Sequence, residues 1–204
     1  MLVVNDCSED RTREILEESG TDHLNLSVNL GIGGGVQAGY RYAREKGYDI
    51  AIQFDGDGQH EACYLPALVA PLEAGEADVV IGSRFVEKEG FQSSGARRAG
   101  IHLLSWLIHC LCGVQVRDVT SGMRAVNRRF IGLYAEHYAQ DYPEPEALLY
   151  AGLRGGRIRE VPVRMRERAH GKSSISAIRS VYYMVKVSLA LLLGRIATRK
   201  EAAS

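Results

Sequence analysis

Apolar and polar positions follow two alternating patterns along the first 83 residues. Short β-rich apolar runs, "LVVN", "LNLSV", "IAIQF" and "ADVVIG", are separated by stretches with helical periodicity at about 9–18, 34–46 and 61–73. Strands that alternate with helices are typical of a largely parallel sheet with helices on both faces. The pattern therefore predicts an α/β fold.

The second half of the chain begins with a long polar stretch and then returns to periodic segments. Residues 84–98, "RFVEKEGFQSSGARR", have loop composition, and a loop of this length in a compact domain is usually functional, so we expect a lid. After it we predict an apolar helix, "IHLLSWLIHCLCG", a strand, "GMRAV", a helix, "PEPEALLYAGL", a strand, "RIREVPVRM", and a final helix from about 174 to 199. This order divides the chain into a domain at 1–173 and a C-terminal amphipathic helix at 174–204.

The final helix is unusually apolar. It contains the 13-residue run "VYYMVKVSLALLL", with Lys186 inside it and Arg195 after it. A membrane span needs about 20 apolar residues, so this run is too short to cross a bilayer. A helix that lies in the membrane interface, or packs on a small membrane partner, fits the pattern, and ordinary core packing is the alternative.

Charge is unevenly distributed although the net charge of the 204 residues is zero. Residues 1–150 hold 13 Lys or Arg and 22 Asp or Glu, a balance of −9, whereas residues 151–204 hold 12 and 3, a balance of +9. A basic C-terminal quarter indicates an anionic partner, such as phosphate groups or the cytoplasmic leaflet. Nucleic acid is not expected, because no basic module interleaved with aromatic residues is present.

Cysteine usage and the N-terminus both favour a cytosolic protein. No charged, apolar and small-residue leader opens the sequence, so we expect no secretion. The cysteines form no C-x-x-C pair and lie in mostly apolar surroundings, which predicts buried free thiols instead of disulfides or a zinc site. These cysteines are Cys7, Cys63, Cys110 and Cys112.

The run "IAIQFDGDGQH" ends a predicted strand on two aspartates. Asp55 and Asp57 are two residues apart and therefore point to the same side. Two carboxylates about 4 Å apart repel by roughly 4 kcal/mol at an effective dielectric constant of 20, so the pair favours a bound cation. Carboxylate oxygens, with an amide oxygen from Gln59, suit Mg²⁺ or Mn²⁺. The alternative is a solvated turn in which one aspartate caps the next helix.

Polar residues follow two further strands, and glycines precede a helix. Asp6 ends "VVND", where it would contact a base or ribose or cap a helix, and Arg84 ends "VIGSR". In "NLGIGGGVQAG", Gly31 and Gly33 would let backbone amides approach a ligand, or would simply form a turn. Ligands of open α/β sheets bind at the carboxyl ends of the strands. The sequence therefore predicts a site for a metal and a charged nucleotide at this edge.

The ordered set "VVNDCSEDRT", "NLGIGGGVQAG", "FDGDGQH", "DVVIGSRF", "DVTSGMRA" and "EVPVRMRERAHGKSS" resembles family 2 glycosyltransferases, and most closely their dolichyl- or polyprenyl-phosphate mannose synthase-like branch. The resemblance covers nearly the whole chain. It implies the Rossmann-like GT-A fold and an inverting transfer from a nucleotide sugar. By the same resemblance, Asp55, Asp57 and Gln59 hold the metal, Asp6 contacts the nucleotide and Arg84 contacts phosphate.

The acceptor implied by the resemblance is a polyprenyl phosphate or a cell-envelope glycan. For a hydroxyl acceptor a general base is needed, and Asp118 in "RDVTSGMRA" is the candidate. For a lipid phosphate, whose oxygen is already anionic, a clamp of cations is needed instead. Its candidates are Arg98, Arg124, Arg168 and Lys172, for which a solvated basic surface is the alternative.

Two differences from the family affect these expectations. Asn5 and Cys7 stand where the family has Asp and Gly. The family also has a strand and a P-x-Y-N-E-like loop before the position of Met1, so we expect the natural reading frame to continue upstream. The chain would act at the inner face of the cell membrane. The rival functions are a catalytically inactive binding protein for a sugar nucleotide or lipid phosphate, and a polysaccharide-extending enzyme.

Two pairs of titratable residues receive no catalytic role. His102 and His109 are seven residues apart on one helix face, which predicts packing or interfacial histidines instead of metal ligands. Glu144 and Glu146 precede a predicted helix, where carboxylates are favourable at the N-terminus.

Overall fold

The protein is a layered α/β structure in a computed structural model that describes residues 1–87, 95–166 and 177–201. The described strands are β1 Val3–Asn5, β2 His23–Asn25, β3 Ile50–Gln53, β4 Val79–Ser83, β5 Arg124–Asn127 and β6 Ile158–Pro162. The described helices are α1 Thr12–Ser19, α2 Gly31–Glu45, α3 Leu65–Glu73, α4 Gly95–Cys112, α5 Arg128–Glu136, α6 Pro143–Leu153 and α7 Ala177–Glu201. A short 3₁₀ turn, Ala62–Tyr64, precedes α3.

The strands form two sheets. β1 and β2 pair in parallel, and the other four strands form a sheet in the order β3-β5-β4-β6. β4 and β6 are parallel, but β5 is antiparallel to both β3 and β4. The α/β fold class is confirmed, while the sheet is mixed instead of largely parallel.

The direction of β5 decides where the segment before it lies. Its first residue, Arg124, is in register with Gln53 and Ile81, near the carboxyl ends of β3 and β4. A strand that enters the sheet at this edge can only run back toward the amino ends of its neighbours. Residues 118–123 therefore lie at the edge where open α/β sheets bind ligands.

Helices cover both faces of the four-stranded sheet. Val79 and Ile81 of β4 face one cluster, which includes buried residues of α2, α4, α5, α6 and α7, and Val80 faces another cluster with Leu68 and Leu72 of α3. Alternate residues of a strand point to opposite faces, so a strand between two layers must be apolar throughout. This explains the apolar run Val79–Ile81 in β4.

Helix α5 was missed by the sequence reading, and α4 begins earlier than expected. Asn127 caps α5, because its side-chain oxygen accepts a hydrogen bond from the Phe130 N–H at 3.2 Å. Phe130, Ile131 and Tyr134 are buried on one face of this helix. The spacing of these apolar residues was a usable signal for a helix. The helix was missed because α5 follows β5 directly, with no Gly or Pro to mark the boundary. Within the predicted loop 84–98, residues 95–98 already belong to α4.

Helix α7 has one face in the core. Val187 and Leu191 have no exposed surface, and they pack with α4 and α6 in the same cluster as the sheet. Core packing thus accounts for one side of the predicted amphipathic helix, and its other side is exposed. In the described part of the chain, no helix is both long and apolar enough to cross a membrane.

The expectation of buried cysteines was wrong. All four thiols are free, but Cys7, Cys63 and Cys110 are exposed and Cys112 is half-buried. Cys110 lies on the outward side of α4, opposite the buried Leu104 and Ile108. An apolar sequence neighbourhood did not imply burial, because α4 covers the core with only one of its faces.

Candidate active site

The Asp55 and Asp57 loop folds back on itself after β3. The backbone N–H of Asp55 donates to Nδ1 of His60 at 3.2 Å, and Nε2 of His60 lies 3.9 Å from the Asp55 carboxylate. The backbone N–H of Gln59 donates to the Asp57 carboxylate at 3.0 Å. These contacts hold both aspartates at the carboxyl end of β3, as the sequence predicted from their spacing.

His60 supports this loop as a neutral side chain. Burial lowers the pKa of His60, and Asp55 and Asp57 oppose that effect without overcoming it. Because Nδ1 accepts the Asp55 N–H, the ring carries its proton on Nε2, which faces the Asp55 carboxylate. The sequence alone did not predict this role. The His60 ring also makes a T-shaped contact with the ring of Phe54.

Gly122 packs directly against Asp55. A Cβ at Gly122 would lie 2.2 Å from Oδ2 of Asp55, which is closer than any side chain allows. The segment before β5 therefore contacts the aspartate loop at a position that only glycine can occupy. The sequence offered one signal for this contact, the glycine in "TSGMRA", but no role was predicted for it.

The oxygen ligands of the aspartate loop fit a divalent cation whose remaining coordination positions would be filled by a diphosphate. Among described residues, no Lys or Arg forms an ion pair with Asp55, and no group of three His, Cys, Asp or Glu could hold a metal by itself. Mg²⁺ sites in phosphate-transfer proteins typically use one or two carboxylates plus substrate phosphates. The amide nitrogen of Gln59 donates to the carbonyl of Arg166 at 3.1 Å, which fixes the predicted third ligand beside the pair.

Arg84 and Asp118 form a buried, two-pronged ion pair. Nε and Nη2 of Arg84 donate to the two carboxylate oxygens of Asp118 at 2.7 and 2.6 Å, and the backbone N–H of Arg84 adds a bond at 3.1 Å. Asp118 has no exposed side-chain surface. Thr120 accepts a further bond from Nη2 at 3.0 Å. The predicted phosphate-binding cation and the predicted general base are therefore direct partners of each other.

Glu160 on β6 fixes the backbone of this loop. Its carboxylate accepts hydrogen bonds from the N–H groups of Arg117 and Asp118, each at 2.9 Å. Charge-assisted hydrogen bonds of this length are strong and directional. Glu160 was not singled out from the sequence, although it is the one acidic residue within the basic run "RIREVPVRM".

The predicted acceptor cations do not come together among the described residues. Arg124 is fully buried, and its guanidinium donates to the backbone carbonyls of Ser121, Glu144 and Val119 at 2.8, 2.7 and 3.3 Å. Arg98 is exposed in the first turn of α4. Arg168 and Lys172 lie outside the described residues. The geometry of Arg124 favours a supporting role beneath the site.

Asp6 and the glycine run both lie where α2 begins. Oδ1 of Asp6 accepts a hydrogen bond from the Leu30 N–H at 2.7 Å, so its carboxylate caps the turn before α2. Gly31 has a φ of +74°, a left-handed conformation that favours glycine. A Cβ at Gly33 would lie 2.1 Å from the carbonyl oxygen of Ala139, so packing within the protein explains that glycine. Donor contacts by these residues remain predictions.

The two pairs of titratable residues without a predicted catalytic role are a half-buried pair, Glu144 and Glu146, and an exposed pair, His102 and His109. Burial raises the pKa of Glu144, with Arg124 opposing the shift and Asp55 adding to it, so this carboxyl lies within electrostatic reach of the aspartate loop. Burial and then Asp141 raise the pKa of Glu146. His102 and His109 are exposed on α4.

Comparison with known proteins decides the family. The model of the family described as "Glycosyl transferase family 2" matches residues 1–132, which is more than half of the chain. The chain belongs to glycosyl transferase family 2. It is thus a glycosyltransferase by family, and its α/β architecture is the GT-A fold.

Relatives within family 2 cover most of the chain. It is 32% identical over 189 residues to the undecaprenyl-phosphate mannosyltransferase of Micrococcus luteus, which covers 86% of this chain and 75% of the relative. It is 29% identical over 207 residues to the polyprenol monophosphomannose synthase of Mycolicibacterium smegmatis, with 96% and 77% covered. The resemblance to the polyprenyl-phosphate mannose synthase branch is confirmed.

A solved structure shows the same fold. Glucosyl-3-phosphoglycerate synthase from Mycobacterium tuberculosis, crystallised with Mn²⁺, uridine diphosphate and glucosyl-3-phosphoglycerate, superimposes with a TM-score of 0.67 and 23% sequence identity. The match covers 95% of this chain and 67% of the solved one. At this identity the likeness establishes the fold.

Proposed function

We propose that this family 2 glycosyltransferase moves a sugar from a nucleotide-sugar donor to a polyprenyl phosphate, with inversion at the sugar carbon and with a divalent metal. The observation that carries the proposal is the aspartate loop at the carboxyl end of β3, packed against Gly122 and next to the segment that bears Asp118. The lipid-phosphate acceptor is supported by two relatives, the undecaprenyl-phosphate mannosyltransferase of Micrococcus luteus and the polyprenol monophosphomannose synthase of Mycolicibacterium smegmatis.

The donor would bind at the carboxyl edge of the sheet. Asp55, Asp57 and Gln59 are the residues that would hold Mg²⁺ or Mn²⁺ there, and the ion would stabilise negative charge on the departing diphosphate. Arg84 supplies a fixed cation at the end of β4, because Asp118 and Thr120 hold its guanidinium in one orientation. Asp6, Gly31 and Gly33 are proposed donor contacts at the start of α2.

The burial of Asp118 and its hydrogen bonds to Arg84 favour a phosphate acceptor over a hydroxyl acceptor. A general base needs a carboxylate within hydrogen-bonding reach of the acceptor, whereas both oxygens of Asp118 are bonded to Arg84 and buried. A phosphate oxygen is already anionic and needs no base. Asp118 therefore orients Arg84 in this proposal, and Arg98, Arg168 and Lys172 remain the proposed acceptor cations.

The proposed location is the cytoplasmic face of the cell membrane, to which the chain would bind peripherally. Support comes from the +9 balance of residues 151–204 and from the anionic character of that leaflet. A polyprenyl phosphate is itself held in the membrane, so an enzyme that uses it must work at the surface.

Substitution of Asp57 by Asn tests the metal site. The D57N change removes one charge of the pair, so metal-dependent binding of uridine or guanosine diphosphate should weaken at least tenfold, as measured by calorimetry with and without Mn²⁺. Asp49→Asn is the matched control, because Asp49 is 83% exposed at the opposite end of β3. Equal Mn²⁺-dependent affinity in D57N and the parent chain would contradict the metal site.

Transfer itself needs a separate measurement. The parent chain, given sugar nucleotides and undecaprenyl phosphate, should form a lipid-linked sugar whose anomeric configuration, determined by nuclear magnetic resonance, is opposite to that of the donor. Tight binding of the diphosphate without any product would instead favour the catalytically inactive binding protein.

A further inference from the structure

Helix α7 presents an apolar stripe on the side that faces away from the core. Tyr182, Val185 and Leu189 are 60%, 62% and 55% exposed. The stripe continues along the same helix side with Leu192, Leu193 and Ile196, all exposed. Spacings of three and four residues place these side chains on one face, opposite the buried Val187 and Leu191.

Helix α4 carries a second apolar stripe. Leu103 is 49% exposed and Trp106 is 62% exposed, while Ile101, Leu104 and Ile108 on the opposite side are buried. The two helices pack against each other. Their contact is close, since a Cβ at Gly100 would lie 2.9 Å from Sδ of Met184. Two neighbouring helices therefore both expose large apolar side chains, which a monomeric protein rarely does without a binding function.

The charges that the two helices themselves carry are almost all positive. The sequence of α4, Gly95–Cys112, contains no acidic residue, and that of α7 contains only Glu201 at its last position. Arg98 on α4 is exposed, as are Lys186 and Arg195 on α7. Nζ of Lys186 lies 4.8 Å from the ring centre of Tyr182, so this positive charge lies over an aromatic ring of the stripe.

We propose that the stripes of α4 and α7 form one docking face for a membrane surface rich in anionic lipid, with Trp106 inserted at the level of the headgroups. The docking face consists of Leu103, Trp106, Tyr182, Val185, Leu189, Leu192, Leu193 and Ile196. This proposal rests on the peripheral membrane location proposed above and adds which surface of the protein contacts the membrane. Apolar side chains rimmed by Lys and Arg, with an aromatic ring at the boundary, match the chemistry of the bilayer interface.

Charge favours lipid over a second copy of the chain. A symmetric dimer through this face would place the basic residues of one copy next to those of the other, because an isologous interface repeats the same patch. An anionic bilayer instead gives each exposed Lys or Arg an opposite charge at its surface. A single partner, the anionic bilayer, would then bury the apolar stripes and neutralise the basic residues beside them.

The sole tryptophan of the chain makes the test direct. The whole chain is mixed with phosphatidylcholine vesicles or with vesicles that also contain phosphatidylglycerol, and neither contains polyprenyl phosphate. We expect Trp106 emission to shift to shorter wavelength and to be quenched by shallow brominated lipids. Partitioning should be about tenfold higher on the anionic vesicles, and raising NaCl to about 1 M should remove that difference.

Matched substitutions define the face. Leu189→Asp and Ile15→Asp change two side chains of equal exposure, 55% each, but Ile15 lies on α1. L189D and Leu103→Asp should each lower partitioning at least tenfold, while I15D should leave it unchanged. Calorimetry with Mn²⁺ and uridine diphosphate on the same samples reports on the donor site separately, so a failed docking face and a failed donor site give different results.

The other outcomes overturn the proposal. Unchanged Trp106 emission with anionic vesicles would show that the face does not bind lipid, and unchanged partitioning of L103D would remove α4 from it. A dimer in sedimentation experiments that L189D dissociates, with no vesicle binding, would assign the face to a second copy of the chain.

Discussion

The ion pair between Arg84 and Asp118 is the residue-scale feature that most affects how the site works. Sequence reasoning gave the two side chains independent roles, as a phosphate ligand and as a general base. In the structure they share three hydrogen bonds, and Glu160 fixes the loop that carries Asp118. The cation at the end of β4 thus owes its position to residues from β6 and from the loop before β5.

Substitution of Asp118 by Asn separates the two roles of this residue. Loss of the carboxylate leaves the buried Arg84 charge unpaired, so we expect the free energy of unfolding to fall by about 3–5 kcal/mol. Binding of the nucleoside diphosphate should weaken as well. Urea unfolding and calorimetry measure both, with the exposed Asp22→Asn as control. A variant with parental stability and diphosphate affinity but a lower kcat would instead identify Asp118 as the base.

At the scale of elements, Asp78 ties three strands together. Its carboxylate accepts hydrogen bonds from the Asn127 side chain at 2.8 Å and from the Arg157 backbone and guanidinium at 2.9 and 3.1 Å. Burial alone would raise the pKa of Asp78, but the hydrogen bonds from Arg157 and Asn127 outweigh it and the pKa is lowered. Asp78 therefore stabilises the ends of β4, β5 and β6 in its ionised form.

Substitution of Asp78 by Asn should destabilise the protein in a pH-dependent way. We expect a loss of about 1–3 kcal/mol in the free energy of unfolding at neutral pH. Because the folded-state pKa lies below the ordinary 3.8, the ionised carboxylate contributes fully above that value, and its contribution is lost as pH falls through the folded pKa.

The pH dependence is checked by urea unfolding at neutral pH and near pH 3.5. The difference between D78N and the parent chain should shrink at the lower pH. Asp49→Asn, which breaks an exposed ion pair with Arg128, should cost at most about 1 kcal/mol at neutral pH. A difference for D78N that is constant across pH would rule out the carboxylate charge as its cause.

At the scale of the whole molecule, α7 belongs both to the core and to the surface. Val187 and Leu191 on its inner side are fully buried, and Gly194 approaches Leu149 of α6. The outer side is the docking face. The boundary predicted between residues 173 and 174 lies outside the described residues, and the described part of α7 packs into the core of the domain that precedes it.

Removal of α7 should consequently destabilise the protein. A chain cut after Ser174 loses Val187 and Leu191 from the core, at about 1.5–3 kcal/mol for each buried side chain. We expect a clearly lower melting temperature by circular dichroism. A chain cut after Ala197 keeps both residues and should melt close to the parent. If the two truncated chains melt alike at the parental temperature, α7 contributes nothing to the core.

Local pattern and chemistry were sufficient for much of this protein. Alternation of apolar runs and helices determined the α/β class, because burial on two faces requires apolar residues on both sides of a strand, as at Val79–Ile81 of β4. The spacing of Asp55 and Asp57 after a strand determined that both lie at one sheet edge. The ordered motifs identified the family, since each one combines a strand end with a particular polar or glycine residue.

Tertiary structure decided what lies next to these motifs. The antiparallel entry of β5 brings Gly122 against Asp55, and pairing across β4 and β6 brings Glu160 to the loop of Asp118. It also buries Arg124 beneath the site and packs α4 against α7, the two helices that carry exposed apolar stripes. Sequence periodicity reports which residues share a face of one element, but the partner of that face is set by strand order and helix packing between distant segments.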